Sequence, residues 1–344
     1  PDIFFTILEK GKDKLVRLGD IAEVRRGFTT GANDFFYLEP VGMTVKEVAE
    51  LREKDPMTLV WVRNGAGWMG EIEAAWLRPV IKSPREIQTL RVRLEDLRYL
   101  VFMPPEDIRK AIDQGRQPPL SRYPKATAYI QWGEEQGYPT RPTCASRTRW
   151  WDLGEREPAN FIWPMIHNDR MIVGVHDPRI QVDHNLFEIK GEGRVLLAAV
   201  MVSSQQVIIR ELIGRSNLGE GALKTEGVDI VQLLTVRPST ISRPQDQALL
   251  NAFNRLSQRP IRSIFEELGF PLCRERRCGH PEHPYEYVRP EALTLEQVRA
   301  ASPDRFELDR VVFDVLGLTD EERREVYRAV AQLVKDRLVR ARSV

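Results

Sequence analysis

Four side chains that suit a metal ion stand close together in the stretch LCRERRCGHPEHPY: Cys273, Cys278, His280 and His283, spaced C-x4-C-x-H-x2-H. Two thiolates and two imidazoles are a donor set that tetrahedral zinc takes. The spacing is tighter than in ordinary zinc fingers, so a structural zinc and a plain polar loop both fit. A catalytic zinc fits less well, because no open ligand position with a general base beside it can be read from the stretch. A second pattern is Asp177, Glu188 and Lys190, arranged D-x10-E-I-K. It loosely matches the two carboxylates and a lysine of magnesium-dependent nucleases, a pattern that also arises often by chance. A third is GRSNLGEGALK, residues 214–224, where glycines and nearby cations could cradle an anion or simply turn the chain after a helix. It lacks the spacing and the Gly-Lys-Ser/Thr order of a Walker loop.

The remaining candidates are cations on loops. Residues 141–151 hold Arg141, Arg147 and Arg149 without one carboxylate and end in Trp150 and Trp151. Guanidinium groups fork onto phosphates and guanine edges, and an adjacent indole can pack beneath them or wedge at a base; the same tryptophans serve equally well as core with the arginines as rim. Arg25 and Arg26 precede Gly27, Thr29, Thr30 and Asn33, small polar groups beside glycines that allow close backbone approach. A structural strand corner is the competing reading. Arg63 in VRNGAGW and Lys82 in IKSP are lesser candidates, as are Asn217 and Lys224 within the 214–224 turn.

These groups sit on a chain of 344 residues, 42% hydrophobic and 29% charged, long enough for two domains or one with appendages. Lys plus Arg, 51, nearly cancels Asp plus Glu, 50, so a net charge of +1 leaves no global field for nucleic acid, membrane or an acidic substrate. Any such surface must be local. Three cysteines make no disulfide framework and fit a reducing cytoplasm. No apolar run is long enough to cross a bilayer, and the N-terminal residues lack a signal-peptide pattern, so no membrane partner is expected. Pro1 in place of Met suggests a chain cut from something longer.

Periodicity predicts strands joined by glycine turns over 15–38, a helix over 44–55, and a β-like run into a glycine-rich loop over 59–70. Residues 115–143, with five prolines, read as loop and edge strand. Three β-rich runs over 159–191 add strands to a sheet. The run RVLLAAVMVSSQQVIIRELIG reads as one long buried helix closed by Gly214. The last hundred residues are mainly helical, with capping boxes at Thr294/Gln297 and Thr319/Glu322, and a final helix that carries Val326, Val330, Leu333, Val334 and Leu338 on one face. His167, His176 and His184 fall at strand–turn positions and read as structural.

The segment KDKLVRLGDIAEVRRGFTTGANDFFYL resembles the start of the target recognition domain in adenine-N6 DNA methyltransferases of type IIG and related restriction–modification systems, where an LGDI…GxxTGxNDxF pattern recurs. That pattern is related to the repeated element of type I specificity subunits. The order long helix, GRSNLGEGALK, VDIVQLLTVRP resembles the end of the same domain. Between them WLRPVIKSPREI, AYIQWGEEQGY and RPTCASRTRWWDLGE, and after them ELDRVVFDVLGLTDEERREVYRAVAQLVKDRL, are similar to further segments of the family in its order. Only the Cys/His insert is largely unmatched.

The resemblance implies a mixed α/β fold: a target recognition domain over 1–240 with a long buried helix, then a mainly helical C-terminal region over 241–344 that carries the possible zinc loop. It implies double-stranded DNA as partner and an upstream methyltransferase domain that binds S-adenosylmethionine. That catalytic half is not in this sequence, since MPPE at 103–106 lacks both the leading amide or carboxylate and the aromatic that stacks on a flipped adenine. No cofactor other than zinc is expected here. The expected DNA contacts are Arg25, Arg26, Thr29, Thr30, Asn33, Arg63, Lys82, Arg147, Arg149, Trp150, Asn217 and Lys224. The alternatives are a magnesium nuclease built on Asp177, Glu188 and Lys190, or a protein-interaction module with incidental basic loops.

Overall fold

A computed structural model describes residues 1–216, 221–270, 285 and 288–340. The chain forms a mixed α/β fold with a helical C-terminal region. Five strands are ordered Ala22–Arg26, Leu186–Gly191, Phe161–Pro164, Gly174–His176, Arg91–Val92, and all neighbours are antiparallel except the last pair. Six more are ordered Gln181–Val182, Leu77–Ile81, Tyr99–Phe102, Tyr37–Pro40, Leu59–Asn64, Met69–Glu73, and here only the first pair is parallel. Each sheet thus takes a two-residue edge strand from the stretch of chain that supplies most of the other. The three β-rich runs over 159–191 become the centre of the five-stranded sheet, as their patterning predicts.

Two hydrophobic cores follow from these sheets. The first packs Phe161, Trp163 and Ile189 under the helices Val195–Met201 and Ser204–Ile213, and against Arg243–Leu256, Pro303–Leu316 and Asp320–Arg340. It therefore runs through both of the segments 1–240 and 241–344. The second gathers Phe35, Phe36, Val60, Val62, Trp76 and Phe102 between the six-stranded sheet and the helices Val45–Lys54 and Pro124–Glu135.

Three local expectations are corrected. The long apolar helix is two helices bent by 69°. Its break has a cause: Ser203 accepts from the Gln206 amide at 3.4 Å, while the fully buried Asp309 accepts from the Ser204 amide at 2.7 Å and its hydroxyl at 2.6 Å. These bonds start a second helix in a new direction. Among the described residues no single helix is long and apolar enough to cross a membrane; this bent pair has the length only when taken together, and most of its apolar side chains are core, Leu212 being exposed. Gly214 does follow the second helix, yet with φ −67° and ψ 154° it leaves as extended chain and not by a left-handed cap. The proline-rich stretch 115–143 holds the 12-residue helix Pro124–Glu135, because Pro124 and Pro142 both stand at first helical turns, where a missing N–H costs nothing.

His167 and His176 behave as structural residues, 2% and 8% exposed. Burial holds both imidazoles below their ordinary value of 6.5, and at His167 the charges of Arg210 and Arg337 add to it. Below 6.5 the unfolded chain takes up protons that the folded chain refuses, so this stability is fully present above 6.5 and is lost as the pH falls. The thermal midpoint is expected to drop between pH 7 and pH 5, and His167→Gln to make that drop smaller. An unchanged slope in the variant would show that His167 is hydrated in the folded state.

Candidate nucleic-acid interface

On one face of the six-stranded sheet lies a cleft of about 290 Å³ that brings together Asn33, Arg63 and Lys82, three residues expected to contact DNA, with Arg98, Tyr37 and Tyr99. Antiparallel pairing puts Glu39 of Tyr37–Pro40 opposite Arg63 of Leu59–Asn64. Arg63 and Arg98 share that carboxylate, at 2.6 and 2.8 Å, while both guanidinium groups stay more than half exposed. Burial alone would raise the Glu39 carboxyl, but the bonds and charges of Arg63 and Arg98 outweigh it and hold it below its usual range. Among the described residues Lys82 makes no ion pair; its ammonium lies over the rings of Tyr99 and Tyr37, 4.5 and 4.9 Å from their centroids.

The remaining acidic groups are already engaged. Asp34 is held by Arg141 at 2.7 and 3.0 Å and by the Tyr138 hydroxyl at 2.9 Å. Burial pushes its carboxyl up, and these partners bring it below the ordinary value. Behind the cleft, Asp183 accepts from the Tyr37 hydroxyl, and Glu86 from the backbone amides of Lys82 and Ser83. Three lining cations, Arg63, Lys82 and Arg98, thus meet two lining carboxylates, Glu39 and Asp34, of which Asp34 is already paired with Arg141. Such an excess in a concave site suits an anion.

The loops that frame the cleft are locked to each other. Arg147 donates to the carbonyls of Thr29, Thr30 and Trp150 at 2.5, 2.8 and 3.1 Å, and the Cys144 thiol lies 3.7 Å from the Thr30 carbonyl. Gly31 has φ +73°, and a β-carbon there would come within 2.4 Å of the Thr143 side chain, so only glycine fits. At Gly27 a β-carbon would meet the Asp183 and Val182 carbonyls at 2.3 and 2.4 Å. The buried Thr30 hydroxyl donates to the Asn33 side-chain oxygen, so exposed Asn33 has its amide N–H groups to offer.

Several expected contacts are occupied elsewhere. Trp150 is 8% exposed and packs 4.8 Å from Phe35, so it is core and has no free face for a base. Arg147 spends its guanidinium on backbone carbonyls, whereas Arg149 makes no side-chain bond among the described residues. Arg25 pairs with buried Glu188 at 3.1 Å, and Arg26 donates to the His184 carbonyl at 2.8 Å. Lys224 lies in a separate strand pair, bridged to Arg215 through both backbone bonds and ion-paired with Glu226. That bridge sets Arg215 beside Lys224, and Gly221 takes φ +71°. Asn217, and Cys273, Cys278, His280 and His283, lie outside the described residues.

Asp177, Glu188 and Lys190 do not form one site. Asp177 is paired with Arg179 at 2.6 Å, Glu188 with Arg25 and with Arg156 at 3.6 Å, and Lys190 with Glu157. The strand Phe161–Pro164 separates the strand that carries Glu188 from the one that precedes Asp177. Among the described residues no three His, Cys, Asp or Glu side chains are grouped to hold a metal.

Neither a protein-family comparison nor a search of curated proteins returns a match to the sequence. Among solved structures, the fold is similar to part of the type IIG restriction endonuclease BpuSI, with a TM-score of 0.52 over 99% of this chain at 14% identity. The chain spans about a third of that enzyme, 34% of its length. At this identity the likeness is one of fold.

Proposed function

We propose that this chain is the double-stranded DNA recognition module of an adenine-N6 methyltransferase or fused restriction–modification enzyme, whose S-adenosylmethionine-binding catalytic domain lies upstream. The observation that carries the reading is the cleft in which Arg63, Arg98 and Lys82 converge with half-exposed charge on the sheet of a fold shared with a restriction endonuclease. The chain's own part is to bind and position: the cleft holds one backbone strand, Asn33 and the neighbouring loops reach base edges, and the adenine is presented to the other domain. A structural zinc on Cys273, Cys278, His280 and His283 belongs to the same reading as a staple of the C-terminal region.

Duplex binding followed by fluorescence anisotropy across a salt series tests it. Affinity is expected to fall steeply with salt, and the double variant Lys82→Ala, Arg98→Ala to flatten the log–log slope by roughly 0.9 for each phosphate left without its cation. A wild-type protein that binds no duplex, or one whose slope survives the double substitution, removes the cleft from this role.

A further inference from the structure

The strands Leu59–Asn64 and Met69–Glu73 form a hairpin that closes one end of the cleft, and its outward face is unlike an ordinary solvated strand pair. The register sets Trp61 opposite Glu71 and Arg63 opposite Met69, while Val60, Val62 and Ile72 point into the core. Trp61 is 48% exposed and Met69 60%. An indole left that open on a sheet whose other face is fully packed is a costly surface to leave in water.

The tip is rigid. Asn64 accepts from the amides of Ala66 and Trp68 at 3.0 and 2.9 Å and donates to the Tyr129 hydroxyl at 2.9 Å. Trp68 turns inward onto the Tyr129 ring at 4.3 Å, and the Gly65 amide is fixed to the Asp34 carbonyl at 3.1 Å. Gly65, Ala66 and Gly67 are exposed, with open space around Gly67. Charge surrounds the apolar pair with one sign in excess: Lys125 neutralises Glu71 at 3.4 Å, and the one carboxylate Glu39 serves both Arg63 and Arg98.

We propose that the hairpin 59–73 enters the major groove of duplex DNA, with Trp61 and Met69 lying on base edges, thymine methyl groups above all, while Arg63 and Arg98 take the flanking backbone. The inference rests on the DNA-binding reading above and adds the element, the groove and the contact chemistry. A two-stranded ribbon fits the major groove, about 12 Å wide, and apolar side chains there recognise the thymine methyl. The cations beside the pair match a polyanion. A flat protein partner would need acidic groups to meet them.

The test uses the whole chain and a duplex selected by it from a randomised pool. Trp61→Ala and Met69→Ala are exposed substitutions, and circular dichroism confirms that each variant folds. Wild-type affinity is expected to fall about tenfold when uracil replaces a contacted thymine or when glucosylated hydroxymethylcytosine fills the groove. Trp61→Ala is expected to lose about the same on the unmodified duplex, with its salt slope unchanged because no counterion is involved. If the wild type selects a duplex but both variants bind it equally well, or if groove filling leaves binding intact, the hairpin is not the reading element. The same holds if Trp61→Ala abolishes self-association or protein docking and spares duplex binding. If no duplex is selected and binding shows no salt dependence, the DNA-binding reading itself fails.

Discussion

Glu211→Ala should lower the unfolding free energy by about 3–5 kcal/mol, the range found when one partner of a buried ion pair is removed. Glu211 accepts from Arg210 at 2.8 Å and from Arg337 at 2.7 and 3.1 Å, and all three side chains are nearly inaccessible, at 2%, 1% and 6%. Burial would raise the Glu211 carboxyl, but the two guanidinium groups outweigh it and hold it below the ordinary value. With the carboxylate gone, two buried cations face each other. Arg337 also donates to the Asn168 carbonyl at 2.9 Å and to that of Gly221, so the same cluster ties the helix Asp320–Arg340 to the body of the fold. Urea titration should show an earlier midpoint at similar steepness. A loss below about 1 kcal/mol would mean that water reaches the cluster and screens it.

Arg147→Ala should cost about 2–3 kcal/mol, since hydrogen bonds from a charged donor are each worth roughly 1.5–3 kcal/mol and part-buried carbonyls would be left without a partner. Arg147→Lys should recover little, because an ammonium on a single stem cannot span the carbonyls of Thr29, Thr30 and Trp150 as a planar fork does. Arg149→Ala should stay within about 0.5 kcal/mol of the wild type. The two arginines lie two residues apart, so the pair separates a fastening role from a surface one. Equal stability losses at 147 and 149 would contradict the assignment, as would an unperturbed Arg147→Ala.

What the sequence made legible was local. Thr319 and Glu322 close their capping box at 2.7 and 3.4 Å, because such bonds need only residues three apart, whereas at Thr294 only half of the box forms: its hydroxyl accepts from the Gln297 amide at 3.2 Å, and the Gln297 side chain donates instead to the Leu268 carbonyl at 3.0 Å. In the last helix Val326, Val330, Val334 and Leu338 are buried, with Leu333 packed at the margin, as the 3.6-residue period requires. The strands at 15–17, 22–26 and 37–40 were also readable as strands. Their partners were not: they pair with 234–236, with 186–191, and with 59–64 and 99–102.

The cleft was partly visible for the same reason. Asn33, Arg63 and Lys82 stand out as cations or amides beside turns, but their convergence depends on pairing between distant strands. Arg98 and Glu39 carried no signal, since an arginine before a tyrosine and a glutamate before a proline are ordinary until the register sets Glu39 across from Arg63. Trp150 misled because an aromatic next to arginines looks the same in a core as on a surface; only burial against Phe35 tells the two apart.

The two sheets are laced together by the short parallel strands Arg91–Val92 and Gln181–Val182, each borrowed from the other's territory. Neither sheet can tilt or loosen without tearing a ladder in its neighbour. Whatever grips the cleft on one sheet therefore pulls directly on the helical body behind the other. The cleft is held at a fixed angle like a key blade in its bow, and heat should melt both halves in a single step.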